Sequence, residues 1–133
     1  TFDGYGYLHH PVQTWDDFLK NEVIDSSSYF PEANYLLDDV NAAITELSKI
    51  QFSKKLIHGD FGTHNFVAHD GKFVAAIDPI PVAGDKTYDF LYAMVSNIDL
   101  LPFISIDFLT SYTEEPKTKV IHMLKVVLYC MAY

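Results

Sequence analysis

The chain has one cysteine, Cys130, in 133 residues, which excludes an intrachain disulfide and any cysteine-based zinc cluster. A reducing compartment is the corresponding expectation. Positive charge is scarce as well: nine Lys and Arg stand against eighteen Asp and Glu, for a net charge of -9. Such a surface offers no basic stripe for nucleic acid and no polybasic patch for anionic lipid. Its field would draw in a cation, whether a metal ion or a polyamine-like substrate. Long apolar runs are missing too, since charges interrupt every stretch well before the roughly 18 residues that a membrane-spanning helix needs. No charged segment followed by an apolar one opens the chain. These absences predict a soluble, cytoplasmic protein. Repeats, low-complexity tracts and Pro/Gly/Ser linkers are also lacking, so residues 1–133 read as a single domain.

What is present is apolar substance, 49% of residues with 15% aromatic, enough for one domain to bury a core. The chain opens on Thr1 instead of methionine and stops within the apolar run 126–133. The expectation from both ends is a piece of a longer protein.

Local signals divide the chain into helices around a short β segment. Thr14 precedes Trp15-Asp16-Asp17, a capping hydroxyl with acidic residues in the first turn, and predicts a helix to about Ile24. Pro31 opens a second helix in which Leu36, Leu37, Val40, Ala43, Ile44, Leu47 and Ile50 recur at three-to-four spacing, about five turns in all. From Lys55 the texture changes to three brief apolar runs, 56–58, 66–69 and 72–77. Asp70-Gly71 separates the last two and predicts a hairpin, because both residues tolerate positive φ. Beyond Pro79, Pro81 and Gly84, residues 85–97 read as a helix with Tyr88, Leu91, Tyr92 and Val95 on its buried side. Residues 104–112 and 117–133 read as two more. The expected architecture is α+β, mostly helical, with a small hairpin in the middle.

The densest polar cluster lies beside that hairpin, in His58-Gly59-Asp60-Phe61-Gly62-Thr63-His64-Asn65, with Asp78 following. Phosphoryl transfer needs an acceptor hydroxyl held in line, a carboxylate to take its proton, and oxygen ligands for magnesium. An aspartate, four residues, an asparagine, a hairpin and a second aspartate supply those groups in the order used by kinases. Asparagine offers a neutral oxygen and aspartate a charged one, both suited to a hard cation.

Leu56-Ile57-His58-Gly59-Asp60 through Asn65-Phe66, then Ala76-Ile77-Asp78-Pro79, then Gly84-Asp85-Lys86-Thr87-Tyr88-Asp89-Phe90, together resemble the aminoglycoside phosphotransferase and choline kinase family. The resemblance covers residues 56–97 and implies the C-terminal lobe of a protein-kinase-like fold. It implies an ATP- and magnesium-dependent kinase acting on an alcohol group of a small molecule, for which the acidic surface suits a cationic one. Under it Asp60 is the base or orienting carboxylate, and Asn65 and Asp78 are the magnesium ligands. His58, Asp85 and Asp89 support the loop. Lys86 departs from the pattern, standing where proline is usual, and the Ile-Asp-Pro form of the metal aspartate is similar to the streptomycin and hydroxyurea phosphotransferase branch.

A kinase also needs a glycine-rich loop and a strand lysine to grip the nucleotide, and neither is here. Gly4-Tyr5-Gly6-Tyr7 lacks the strand and helix that frame a phosphate loop. The nucleotide-binding lobe is therefore expected outside these residues, the isolated chain is expected to be inactive, and the surface that such a lobe would cover is expected to favour self-association. Two alternatives compete. His58, Asp60, His64, His69 and Asp78 could form a hydrolytic metal cluster, a reading that gives Asn65 no role. The domain could instead be a degenerate kinase-like module kept for binding. His9-His10 read as surface residues, Trp15, Tyr88 and Tyr92 as core, and Cys130 as an inert buried thiol.

Overall fold

The computed structural model describes residues 2–131. Its first helix, α1 (Trp15–Tyr29), starts as the sequence predicts: Thr14 Oγ1 accepts the Asp17 N–H at 3.1 Å. It runs five residues past Ile24 through Asp25-Ser26-Ser27-Ser28-Tyr29, where apolar periodicity is silent. The Ser27 and Ser28 hydroxyls each donate 2.7 Å bonds to the carbonyls of Ile24 and Asp25, and buried Ser26 donates to the Cys130 carbonyl at 3.4 Å. The hydroxyls are thus satisfied without breaking the helix, and the Ser26 bond ties its last turns to the end of the chain's final helix.

The expected five-turn helix from Pro31 is instead a 3₁₀ segment, Pro31–Leu36, followed by α2 (Leu37–Leu47). Ala33 is the one buried residue of the first part, whereas Val40, Ala43, Ile44 and Leu47 line the core side of the second. Packing thus imposes α-helical periodicity only after Leu37; ahead of it nothing opposes a tighter winding.

Five short strands follow the chain order: β1 (Gly6–Tyr7), β2 (Lys55–Ile57), β3 (Phe66–His69), β4 (Lys72–Ala76) and β5 (Val82–Gly84). β3 and β4 form the expected hairpin, turning on Asp70 (φ 52°) and Gly71 (φ 73°), with a register shift at Val67/Ala68. A second, unexpected sheet has the order β1-β5-β2, all antiparallel, with Ile57 and Tyr7 both opposite Val82. Strands of two and three residues carry too little periodicity to be read locally, and their partners lie far away in sequence.

The remaining helices are α3 (Lys86–Ser96), α4 (Ile106–Thr113) and α5 (Lys117–Cys130), with a 3₁₀ segment, Ile98–Phe103, between α3 and α4. The last two residues of the expected 117–133 helix lie outside the described residues. α5 packs against all four other helices. Val120, Met123, Val126 and Val127 on α5 join Leu19, Val23, Ile44, Leu91 and Leu109 in one apolar core. Cys130 is buried there, and desolvation pushes its thiol up to about 12. The sheet closes on this core through Trp15, which stacks on Phe18 at 4.9 Å. A Cβ at Gly84 would come within 2.2 Å of the indole ring, so that position has no room for a side chain. Among the described residues no helix is long and apolar enough to cross a membrane.

Candidate active site

β2 ends at Ile57, and the chain enters the polar loop through Gly59, whose φ of 86° is open to glycine at little cost. A Cβ there would also meet the Ile80 carbonyl oxygen at 1.8 Å. The close approach exists because the Ile80 N–H donates to the His58 carbonyl at 2.9 Å.

His58 braces the loop with both ring nitrogens. Nδ1 accepts the Asp60 N–H at 3.2 Å, and Nε2 lies 2.8 Å from the Ile77 carbonyl oxygen. One nitrogen must therefore accept and the other donate, which assigns the neutral Nε2–H tautomer. The ring ties the residue before Asp78 to the start of the loop.

Asp60 and Asn65 meet directly. Asn65, buried at the end of a short 3₁₀ turn, donates through Nδ2 to the Asp60 carbonyl at 2.9 Å and to Asp60 Oδ2 at 3.1 Å. With its amide nitrogen committed, its Oδ1 is left as an oxygen donor. Asp60 Oδ1 accepts the Tyr92 hydroxyl at 3.0 Å, and His64 Nε2 stands 3.6 Å from Oδ2. The Asp60 side chain keeps 28% exposure, so the carboxylate is gripped yet open to solvent.

Asp78 arrives through the hairpin. The Ile77 N–H donates to the Asn65 carbonyl at 2.9 Å, which continues the β3–β4 ladder by one residue. Asp78 then adopts φ 53°, a left-handed turn that aspartate tolerates better than most residues. The tethers at Ile77 and Ile80 hold Asp78 and Pro79 between them, next to the loop. Asp78 is exposed, and among the described residues its carboxylate has no hydrogen bond or ion pair.

Helix α3 carries the loop from below. Asp89 accepts the N–H groups of His58 and Gly59 at 2.6 and 3.1 Å. Tyr92 grips Asp60, and Ser96 Oγ accepts the Thr63 N–H at 2.9 Å. Positions 89, 92 and 96 share one helix face, so three successive side chains hold three successive points of the loop. Burial raises the Asp89 carboxyl above its ordinary range, and the two N–H donors pull it part of the way back. Asp85 supports the loop more remotely: it caps α3 by accepting the Thr87 N–H at 3.0 Å and pairs with Lys119 of α5 at 2.9 Å. Lys86, the first residue of α3, leaves this cap intact.

Of the residues singled out from sequence, Asp60, Asn65, His58 and Asp89 share direct or one-step contacts, Asp78 joins through backbone, and Asp85 stands behind α3. Tyr92 and Ser96 were not among them. The α3 stripe marks Tyr92 as core, and only its hydroxyl, at the edge of that stripe, signals another partner. Among the described residues no group of three or more His, Cys, Asp or Glu side chains could hold a metal ion together, so the five residues of the hydrolase alternative are not gathered. No protein-family model, curated protein or solved structure matches this chain.

Proposed function

We propose that this chain is the catalytic part of an ATP- and magnesium-dependent phosphotransferase that acts on a hydroxyl of a small molecule, with the fold of a kinase-like C-terminal lobe. The observation that carries the proposal is the Asp60–Asn65 contact, in which one side chain is an oriented, partly open carboxylate and the other keeps a free amide oxygen beside it. Asn65 Oδ1 and the unpaired Asp78 carboxylate would be the ligands of a magnesium ion, their oxygens being of the kind it takes before completing its shell with phosphates and water. When bound, the ion would neutralise phosphate charge.

In the proposed step the acceptor hydroxyl donates its proton toward Asp60 as its oxygen bonds to the γ-phosphorus. The bond from that phosphorus to the bridging oxygen breaks, and the nucleoside diphosphate leaves with the electron pair. Asp60 is suited to this by its two fixed donors and its remaining lone pairs. Grip on the nucleotide requires a phosphate loop and a lysine that these 133 residues do not carry.

A cationic acceptor suits the acidic character of the chain, whose net charge is -9. Tyr7 donates to Glu22. Glu22, Asp25, Asn21 and His10 line a cavity of about 260 Å³ with Tyr7. Burial raises the Glu22 carboxyl, against the pull of the Tyr7 hydrogen bond.

The test is Asp60→Asn in the full-length polypeptide, supplied with ATP, magnesium and a panel of amino sugars, choline, homoserine, fructosamines and antibiotics. Turnover should fall by about a hundredfold or more while the melting temperature stays near that of the unaltered protein. Undiminished turnover in this variant would refute the reading.

A further inference from the structure

We propose that Tyr92 is a positioning residue for Asp60, setting the rotation of the carboxylate that receives the acceptor proton. This inference rests on the phosphotransferase reading and adds to it a residue that the loop motif does not contain.

The terminal torsion of an aspartate is a broad, roughly two-fold rotor, so its carboxylate has no preferred plane unless hydrogen bonds impose one. Asn65 Nδ2 holds Oδ2 at 3.1 Å, and a single tether still leaves the group free to pivot. The Tyr92 hydroxyl holds Oδ1 at 3.0 Å and removes that freedom. Each oxygen then keeps one lone pair, in a direction fixed by the two donors. His64 Nε2, at 3.6 Å from Oδ2, is too distant for a hydrogen bond and does not duplicate this function.

Tyr92 is placed by a rigid element. Its helix is fastened to the loop on either side of it, by Asp89 at His58 and Gly59 and by Ser96 at Thr63. Its ring packs near Tyr88, with centroids 6.0 Å apart, and Tyr88 is itself buried against Trp15 and Phe18. The phenol oxygen is thus delivered to Asp60 from a packed aromatic layer, and removing the oxygen alone leaves that layer in place.

Two measurements on Tyr92→Phe test the assignment. In the 133-residue chain, the side-chain amide resonances of Asn65 should shift, because that amide shares the Asp60 carboxylate, while those of Asn34 and Asn97 stay in place and the melting temperature is nearly unchanged. An unmoved Asn65 amide would overturn the proposal. In the full-length polypeptide with ATP and magnesium, kcat should fall about tenfold, as expected for loss of one hydrogen bond to a charged group, with KM nearly constant. A KM effect with unchanged kcat would assign Tyr92 to acceptor binding instead and sink its positioning role. Full kcat in Tyr92→Phe beside an inactive Asp60→Asn would also sink it, leaving the phosphotransferase reading intact. Full activity in Asp60→Asn would overturn that reading, and with it the kinetic role of Tyr92.

Discussion

Lys119 and Asp85 form an ion pair at 2.9 Å with side chains only 3% and 4% exposed. Glu115 adds a second carboxylate to the same ammonium at 3.2 Å, and Phe52 lies under it at 5.9 Å. The pair joins the first turn of the core helix to the cap of the helix that carries Asp89, Tyr92 and Ser96.

Lys119→Met should therefore destabilise the chain by about 3–5 kcal/mol, because it strands the buried Asp85 charge. Urea unfolding followed by circular dichroism reads this directly. Adding Asp85→Asn, which keeps a capping side chain, should recover part of the loss. A loss below about 1 kcal/mol for Lys119→Met would contradict a structural role for the pair.

Asp89 gives a pH-dependent prediction. Its carboxyl is raised in the folded state, first by burial. The native protein thus holds this proton to higher pH than the unfolded chain does. The group makes folding progressively less favourable as pH rises from the ordinary aspartate value to the raised one, and adds no further change above it. Asp89→Asn should abolish that slope. At neutral pH it should also cost about 1–3 kcal/mol, since one amide oxygen must replace two carboxylate oxygens under the His58 and Gly59 N–H groups. Unfolding free energies between about pH 4 and 6 for both proteins check the sign.

Two glycines with similar φ should behave differently. Gly59→Ala places a methyl group against the Ile80 carbonyl as well as straining φ, whereas Gly71, at φ 73°, has open space around it. Gly71→Ala should cost about 1–2 kcal/mol, and Gly59→Ala distinctly more, with loss of the His58–Ile80 bond visible as faster amide exchange at Ile80. Equal costs would show that the contact at Ile80 is easily relieved.

Leu56, Phe73 and Val74 are 70%, 61% and 60% exposed on β2 and the hairpin. Uncovered apolar surface of this kind drives association. The weight-average mass in sedimentation should rise with concentration, and Val74→Glu should reduce the rise. A monodisperse monomer across the concentration range would rule this out.

Much of this arrangement is legible in the sequence because it is local. Thr14, Asp70-Gly71 and Asp85 are start and turn signals that act within a few residues, and each does so in the structure. The polar loop is legible because its polar residues crowd into eight successive positions, and the contacts of Asp60 with His58 and Asn65 join residues two and five positions apart. The β1-β5-β2 sheet is not, because Gly6-Tyr7 and Val82-Ala83-Gly84 acquire meaning only when paired across some seventy-five positions. Tyr92 is hidden for another reason: its ring satisfies the apolar pattern, and the pattern says nothing about where the hydroxyl goes.

The three-point attachment of the loop to α3 also bears on insertions and deletions. Asp89 to Ser96 spans about 10 Å of helix at 1.5 Å per residue, a fixed ruler against which the segment from His58 to Thr63 is measured. One residue more or fewer in that segment would unseat at least one attachment, so its length should be invariant. The Asp70-Gly71 tip lies beyond the ruler, and extra residues there would lengthen the hairpin without disturbing the spacing below.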